Sequence, residues 1–298
     1  MSVSPFKMRS LLSAMVVVFA ANTVAQEDKI TFESQALGSG LFVVKGAGGF
    51  TGGNIVLSVG DDAVVMIDDS MPPFLDRLRG KIKELAGKPV DFLINTHVHA
   101  DHTGNNAAFA ETKAHIIAHS GLRARMLADL ASAGKTSAGL PVLSFDQSMS
   151  LHLNGQDAQL LHLPNAHTDG DIVVFFQPAN VFHTGDILFN GLFPFIDLDN
   201  GGSVDGYIAA QQTIVDMISD DVVIVPGHGP LASRADLQRS LDMLRDAKAK
   251  VKALMAEGLS ESDIIARDPL AAYKEWSWSF ISTEKFIATL FKDLGGAE

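Results

Sequence analysis

Thr96-His97-Val98-His99-Ala100-Asp101-His102 follows the apolar run Phe92-Leu93-Ile94 and precedes Gly104. In an extended segment alternate side chains share a face, so His97 and His99 can reach one cation while Asp101 and His102 turn toward a second position. Three imidazoles and a carboxylate within six residues suit zinc or a neighbouring first-row metal. The chain has no cysteine. That excludes thiolate-bound zinc, iron–sulfur clusters, disulfide scaffolds and thiol catalysis, and leaves His and carboxylate to hold any metal.

Around this stretch the pattern is mixed. Upstream, Ile30–Phe32, Leu41–Val44, Asn54–Val59 and Ala63–Ile67 read as strands of a meander, with Gly60-Asp61-Asp62 as a tight turn. Pro72 to Leu85 has helical spacing, with Pro73 in its first turn. Downstream, a short helix is expected at Asn105–Phe109, a strand at Ala114–Ala118 and a helix from Leu122 to Ala131. The second half repeats the theme with strands at Leu151–Leu153, Ala158–Leu163, Ile172–Phe176, Val181–His183 and Val222–Val225. Ser203 suits the N-cap of a helix to Ile218, and Ala235–Ala256 and Thr283–Leu294 complete a helical C-terminal third. This is an α/β layer architecture. At about 150 residues per domain the 298 residues would suggest two domains, but no Pro-, Gly- or Ser-rich linker divides them. One domain over 26–298 is expected, with a helical extension from about 232.

Lys7 and Arg9 precede the apolar stretch Leu11–Ala21, and Thr23-Val24-Ala25 offers the small residues of a cleavage site. Residues 1–25 are therefore expected to be a secretory signal, and the mature protein periplasmic or secreted. The apolar run is about half the ~20 residues of a membrane span, so no stable membrane anchor is expected after cleavage. A net charge of −12 with no basic cluster argues against nucleic-acid binding, and 47% apolar with 19% charged residues suits a compact core. The partner expected is a small-molecule substrate; the sequence leaves the oligomeric state open.

The histidine stretch belongs to an ordered series: Met66-Ile67-Asp68, then the HxHxDH run, then His167 in Asn165-Ala166-His167-Thr168-Asp169-Gly170-Asp171. Asp186 follows in Thr184-Gly185-Asp186-Ile187-Leu188-Phe189, and His228 in Pro226-Gly227-His228-Gly229-Pro230. In this order, over nearly all of residues 30–230, the chain resembles the metallo-β-lactamase superfamily. The resemblance implies a four-layer αβ/βα sandwich with the site at one edge of two sheets. It assigns His97, His99 and His167 to one metal and Asp101, His102 and His228 to another, with Asp186 bridging them. Asp68 is expected to accept hydrogen bonds behind the ligands, or else to be a strand-end turn residue. Two zinc ions are implied as cofactor, with iron or manganese possible. Ions about 3.5–4 Å apart hold a shared water, lower its pKa toward ~7 and polarise a substrate carbonyl, and Asp101 would orient that nucleophile or carry its proton.

Substrate choice is less determined. Where some zinc β-lactamases carry a Cys ligand and others a Ser, this chain has Asp186, and Phe189 stands where a carboxylate-binding Lys or the Tyr of lactonases would be. The glutathione-binding basic residues of similar thioesterases have no obvious counterpart. The leading expectation is a zinc hydrolase acting on a β-lactam or a related cyclic amide or ester. A lactonase or thioesterase, an iron-dependent sulfur oxidoreductase and a non-catalytic metal-binding protein are the alternatives. The glycine-rich stretch Gly46–Gly53, with Phe50 at its tip, and the loop Asn190–Asp199 are expected to form the substrate pocket, giving Phe50, Phe189, Asn190, Phe193 and Phe195 as its residues. His115, His119, His152, His162 and His183 read as packed or surface residues. Trp276 and Trp278 read as packing, with one of them a candidate for a substrate wall.

Overall fold

The structure is a computed structural model that describes residues 29–134 and 139–296; the expected secretory segment lies outside them. A seven-stranded sheet takes the first half. β1 (Thr31–Gly38), β2 (Leu41–Ala47), β3 (Ile55–Val59) and β4 (Val64–Ile67) form an antiparallel meander. β5 (Phe92–Ile94), β6 (His115–His119) and β7 (Leu143–Phe145) continue it in parallel. The five-stranded second sheet runs antiparallel through β8 (Ser148–Leu153), β9 (Gln156–His162), β10 (Ile172–Gln177) and β11 (Val181–Phe189), with β12 (Val223–His228) parallel to β11 at its edge.

The burial pattern dictates how these layers stack. Alternate residues of the first sheet, such as Val43, Val56, Ile67 and Ile94, meet Leu160, Ile172, Val174 and Val225 of the second to fill the seam. Their neighbours along the strands, such as Leu57, Met66 and Leu93, pack outward on Leu78 and Ile82 of helix Leu75–Ala86. On the other side Phe182 and Ile224 pack on Ile214 of helix Val204–Met217 and Leu237 of helix Arg234–Ala256. Sheets buried on both faces need nearly continuous apolar strands, and the result is the αβ/βα sandwich. A further cluster joins the helices Arg234–Ala256, Glu261–Arg267 and Thr283–Asp293 to Phe193, Ile196 and Tyr207. No helix among the described residues is long and apolar enough to cross a membrane.

Several elements differ from expectation. β7 was not anticipated, because three residues carry no legible period. The helix expected from Pro72 opens as a 3-10 turn, Pro72–Phe74, and becomes α-helical at Leu75. β11 runs to Phe189 instead of stopping at His183, so Asp186 lies within a strand. Polar residues and a left-handed Gly185 interrupt its apolar pattern, and its pairing with β12 shifts register there. An irregularity of this kind re-aims a side chain.

Candidate metal centre

The ligand candidates meet where the sheets share an edge. His97, His99 and His102 follow β5, His167 precedes β10, Asp186 sits at the β11 irregularity and His228 ends β12. Asn54 ties the sheets together here: its side-chain amide donates to Pro226 O at 2.8 Å and Gly229 O at 3.0 Å, and its carbonyl accepts from His183 Nε2. His183 also accepts from Gly185 N–H, which makes it a fully used packing residue. Backbone presses directly on the ligands. A Cβ at Gly227 would collide with Asp186 Oδ1, and one at Gly53 with the His102 ring, so both positions need glycine.

Two groups of ligand atoms result, each within 4.8 Å of one another: His97, His99, His167 and Asp186 in one, and Asp101, His102 and His228 in the other. Asp186 faces both. Its Oδ2 lies 3.6 Å from His97 Nε2 and 3.4 Å from His167 Nε2, and its Oδ1 lies 3.2 Å from His102 Nε2 and 3.5 Å from His228 Nε2. Asp101 Oδ2 lies 3.4 Å from His102 Nε2 and 3.2 Å from His228 Nε2. For ligands ~2.0–2.1 Å from a tetrahedral zinc the ligand-to-ligand edge is about 3.3 Å, so the spacing matches that of atoms sharing a cation.

Hydrogen bonds behind the ligands fix the tautomers. Asp68 accepts from Thr96 N–H, from the Thr96 hydroxyl and, at 2.7 Å, from His102 Nδ1. Because the Thr96 proton is spent on Asp68, Thr96 Oγ1 accepts from His97 Nδ1 at 3.0 Å. His167 Nδ1 donates to Phe195 O at 2.7 Å, and His99 Nε2 donates to Asp197 Oδ2 at 2.7 Å. Asp197 is held in turn by the Asn200 amide at 2.7 Å. The lone pairs of His97 Nε2, His102 Nε2, His167 Nε2 and His99 Nδ1 therefore point inward, and the last two face each other at 2.8 Å.

That arrangement is unstable by itself. His97 Nε2, His102 Nε2 and Asp186 Oδ1 are buried without a hydrogen-bond partner, and each such atom costs about 1–3 kcal/mol. Burial, reinforced by His102, holds His97 well below the ordinary imidazole range, and burial pushes His167 down to about 4. For His102 burial opposes the charged form, but Asp186, Asp101 and Asp68 outweigh it and raise the group well above its usual value. His228 is likewise raised to about 9, with Asp186 and Asp101 overcoming its burial. Asp186 is buried too, yet the surrounding histidines keep it well below the carboxylate range. A divalent cation in each group would satisfy these three atoms and replace the protons drawn to His102 and His228, so the residues fit the metals that the sequence implies.

Above the ligands lies a cavity of about 640 Å³. Phe50 and Phe189 line it and stack on His228 at 5.7 and 5.0 Å, while Phe195 lines it and stacks on His99 at 5.6 Å. Two expected pocket residues are elsewhere. Phe193 is fully buried against Phe286 in the helical cluster. The Asn190 side chain donates to Pro230 O and Leu231 O, bracing the loop on the segment that follows β12. The chain turns at a left-handed Gly191, which sends Asn190 outward and Phe193 inward. Trp278 is a wall residue, with Met71 and Phe280; the aromatic run Trp276-Ser277-Trp278-Ser279-Phe280 was the available signal. Asp197, unassigned from sequence, is the acceptor behind His99.

A sequence profile of the metallo-beta-lactamase superfamily matches residues 48–254. Hydroxyacylglutathione hydrolase GloC of Haemophilus influenzae is 30% identical over 176 residues, which is 55% of this chain and 80% of that protein. Two solved structures share the fold. A metallo-beta-lactamase from Pontibacter korlensis superposes with a TM-score of 0.61 at 18% identity, covering 72% of this chain and 100% of its own. A stereoselective inverting sec-alkylsulfatase from Pseudomonas sp. gives 0.70 at 16% identity, covering 90% and 51%.

Proposed function

The chain belongs to the metallo-β-lactamase superfamily, and from that premise we propose that it is a dinuclear zinc hydrolase of acyl bonds: an ester, lactone, thioester or amide, the β-lactam included. The carrying observation is the inward convergence of imidazole lone pairs whose opposite nitrogens all donate to fixed acceptors. Zinc bound there supplies a water of lowered pKa and an electrophilic contact for the carbonyl oxygen.

The chain's own residues do the rest. Asp101 is a partly exposed carboxylate at the cavity floor, held below the ordinary carboxylate range by His102 and His228 although burial opposes this. It orients the attacking water by accepting a hydrogen bond from it. His97, His99, His102, His167 and His228 keep the site in one geometry, so little reorganisation accompanies the reaction. Aromatic walls exclude bulk water from the acyl group. Lys7, Arg9, the apolar run Leu11–Ala21 and Thr23-Val24-Ala25 support export of the protein to the periplasm or beyond.

The test is metal analysis of the purified chain together with turnover of a chromogenic cephalosporin, a simple lactone, a thioester and a phosphodiester. Two zinc ions per chain and chelator-sensitive hydrolysis of at least one acyl substrate are expected. Turnover that survives chelation, or confinement to the phosphodiester, would defeat the reading.

A further inference from the structure

The cavity wall has a composition that narrows the substrate. Trp278 and Phe280 belong to a segment beyond residues 48–254, the span matched by the superfamily profile. Hydrogen bonds pin that segment: the Trp278 side chain donates from Nε1 to Phe193 O at 2.9 Å, and the backbone pairs Phe193 N with Trp276 O at 2.8 Å and Trp278 N with Ile281 O at 3.0 Å. Trp278 is thereby held 6.0 Å from the Phe189 ring and Phe280 5.3 Å from the Phe195 ring. Across the opening stands Phe50. Among the exposed large hydrophobics of the described residues only Phe50, at 56%, and Phe280, at 49%, are aromatic, and both line this cavity. Exposed apolar surface concentrated at one opening marks a ligand site.

The charges point the same way. The lining contains Asp101 and Asp186, which belong to the metal centre, and no Lys or Arg. Lys285 is near, but its ammonium sits 4.0 Å from the Phe280 ring centre and donates to Phe280 O, and it faces the neighbouring groove of Asp197 and Asp199. A carboxylate at the far end of the acyl chain, seated among Trp278, Phe195 and Phe280 away from the metal centre, would lose water and meet no Lys or Arg of the lining, an expensive exchange.

We propose that this site takes an uncharged ester whose acyl part is an extended apolar chain or aryl group, seated against Trp278 and covered by Phe50 and Phe280, and that it rejects acyl groups ending in a carboxylate. The inference rests on the hydrolase reading above and adds its substrate class.

The experiment uses the zinc-loaded chain with p-nitrophenyl acetate, butyrate, hexanoate and octanoate, and with mono-p-nitrophenyl suberate as the charged counterpart of the octanoate. kcat/KM is expected to rise by about 3-fold to 4-fold per added methylene while the chain is still entering the wall, and to fall by at least tenfold from octanoate to the suberate ester. Trp278→Ala and Phe280→Ala should each flatten the rise with chain length. Trp276 and Trp278 are the only tryptophans, so in a Trp276→Phe protein octanamide should shift the remaining fluorescence. A flat series, or a suberate ester hydrolysed as well as the octanoate, would overturn the substrate class and leave the hydrolase standing. No turnover on any ester, the acetate included, together with none on the earlier panel, would overturn the hydrolase reading and this inference with it.

Discussion

The ligand cage and the cavity wall adjoin, yet they are built differently. Cage residues leave strand ends and short turns of both sheets, and His102, His97, His167 and His99 each have a fixed acceptor behind the outer ring nitrogen: Asp68, Thr96, Phe195 O and Asp197 respectively. Wall residues come from the glycine-rich loop, the segment after β11 and the segment before the last helix, and they meet one another through ring faces. Buried polar networks tolerate little change, whereas apolar surfaces of similar volume substitute for one another. The difference teaches that most wall side chains can be altered without touching the hydrogen bonds behind the ligands, the segment Phe195–Asp197 excepted.

The largest effect that would sharpen this contrast is expected from Asp186→Ala. It removes the one side chain that faces both ligand groups, so metal content should fall below two per chain. Turnover should drop well beyond the ~10–100-fold typical of residues that only orient a ligand. Metal analysis beside kinetics checks it, and a variant that keeps both ions and full activity would break the account of the cage.

A smaller effect separates the two groups within the cage. His228 is raised to about 9 and His102 is also raised, so protons compete with a cation for His102 and His228 as pH falls through that range. His167, at about 4, meets no such competition near neutrality. One zinc should therefore leave before the other on acidification from pH 9 to 5, its apparent affinity falling by up to ~10-fold per unit for each proton regained. In the metal-free protein the raised His228 contributes stability that is fully present below its ordinary 6.5 and is lost as pH rises through about 9. Zinc stoichiometry by equilibrium dialysis decides the first point, and simultaneous loss of both ions would contradict it.

The smallest effect belongs to the wall. Phe50→Ala trims one exposed ring above His228 and should raise KM for an apolar ester severalfold, with two zinc ions retained. Loss of metal from this variant would mean that wall and cage are not separable at this point.

The sequence revealed the cage more readily than the wall for a physical reason. A strand end fixes side-chain direction, so His97 and His99 could be placed from their spacing alone, whereas the supporting role of Asp68 came from the resemblance. Asp186 needed the resemblance, because Gly185 breaks the strand pattern beside it. Wall residues depend on where a loop turns. Phe193 and Phe195 are chemically alike and two residues apart, but only Phe195 faces the cavity, because the left-handed Gly191 and the helical cluster decide which ring goes inside. Asp197 was hidden among three aspartates and asparagines of one loop, and its partner His99 lies 98 residues away. The C-terminal wall has no period at all, since Trp276-Ser277-Trp278-Ser279-Phe280 joins a 3-10 helix to an α-helix.

The short run Phe195-Ile196-Asp197 belongs to both regions. Its first ring faces the cavity, its first carbonyl holds His167, its last carboxylate holds His99, and Asp197 N–H donates to His167 O at 2.9 Å. A substrate that displaces Phe195 must alter the grip on two metal ligands, and a metal that tightens those ligands must restrict Phe195. Thermodynamic reciprocity makes the two influences equal in free energy: whatever affinity the metals lend to the substrate, the substrate returns to the metals.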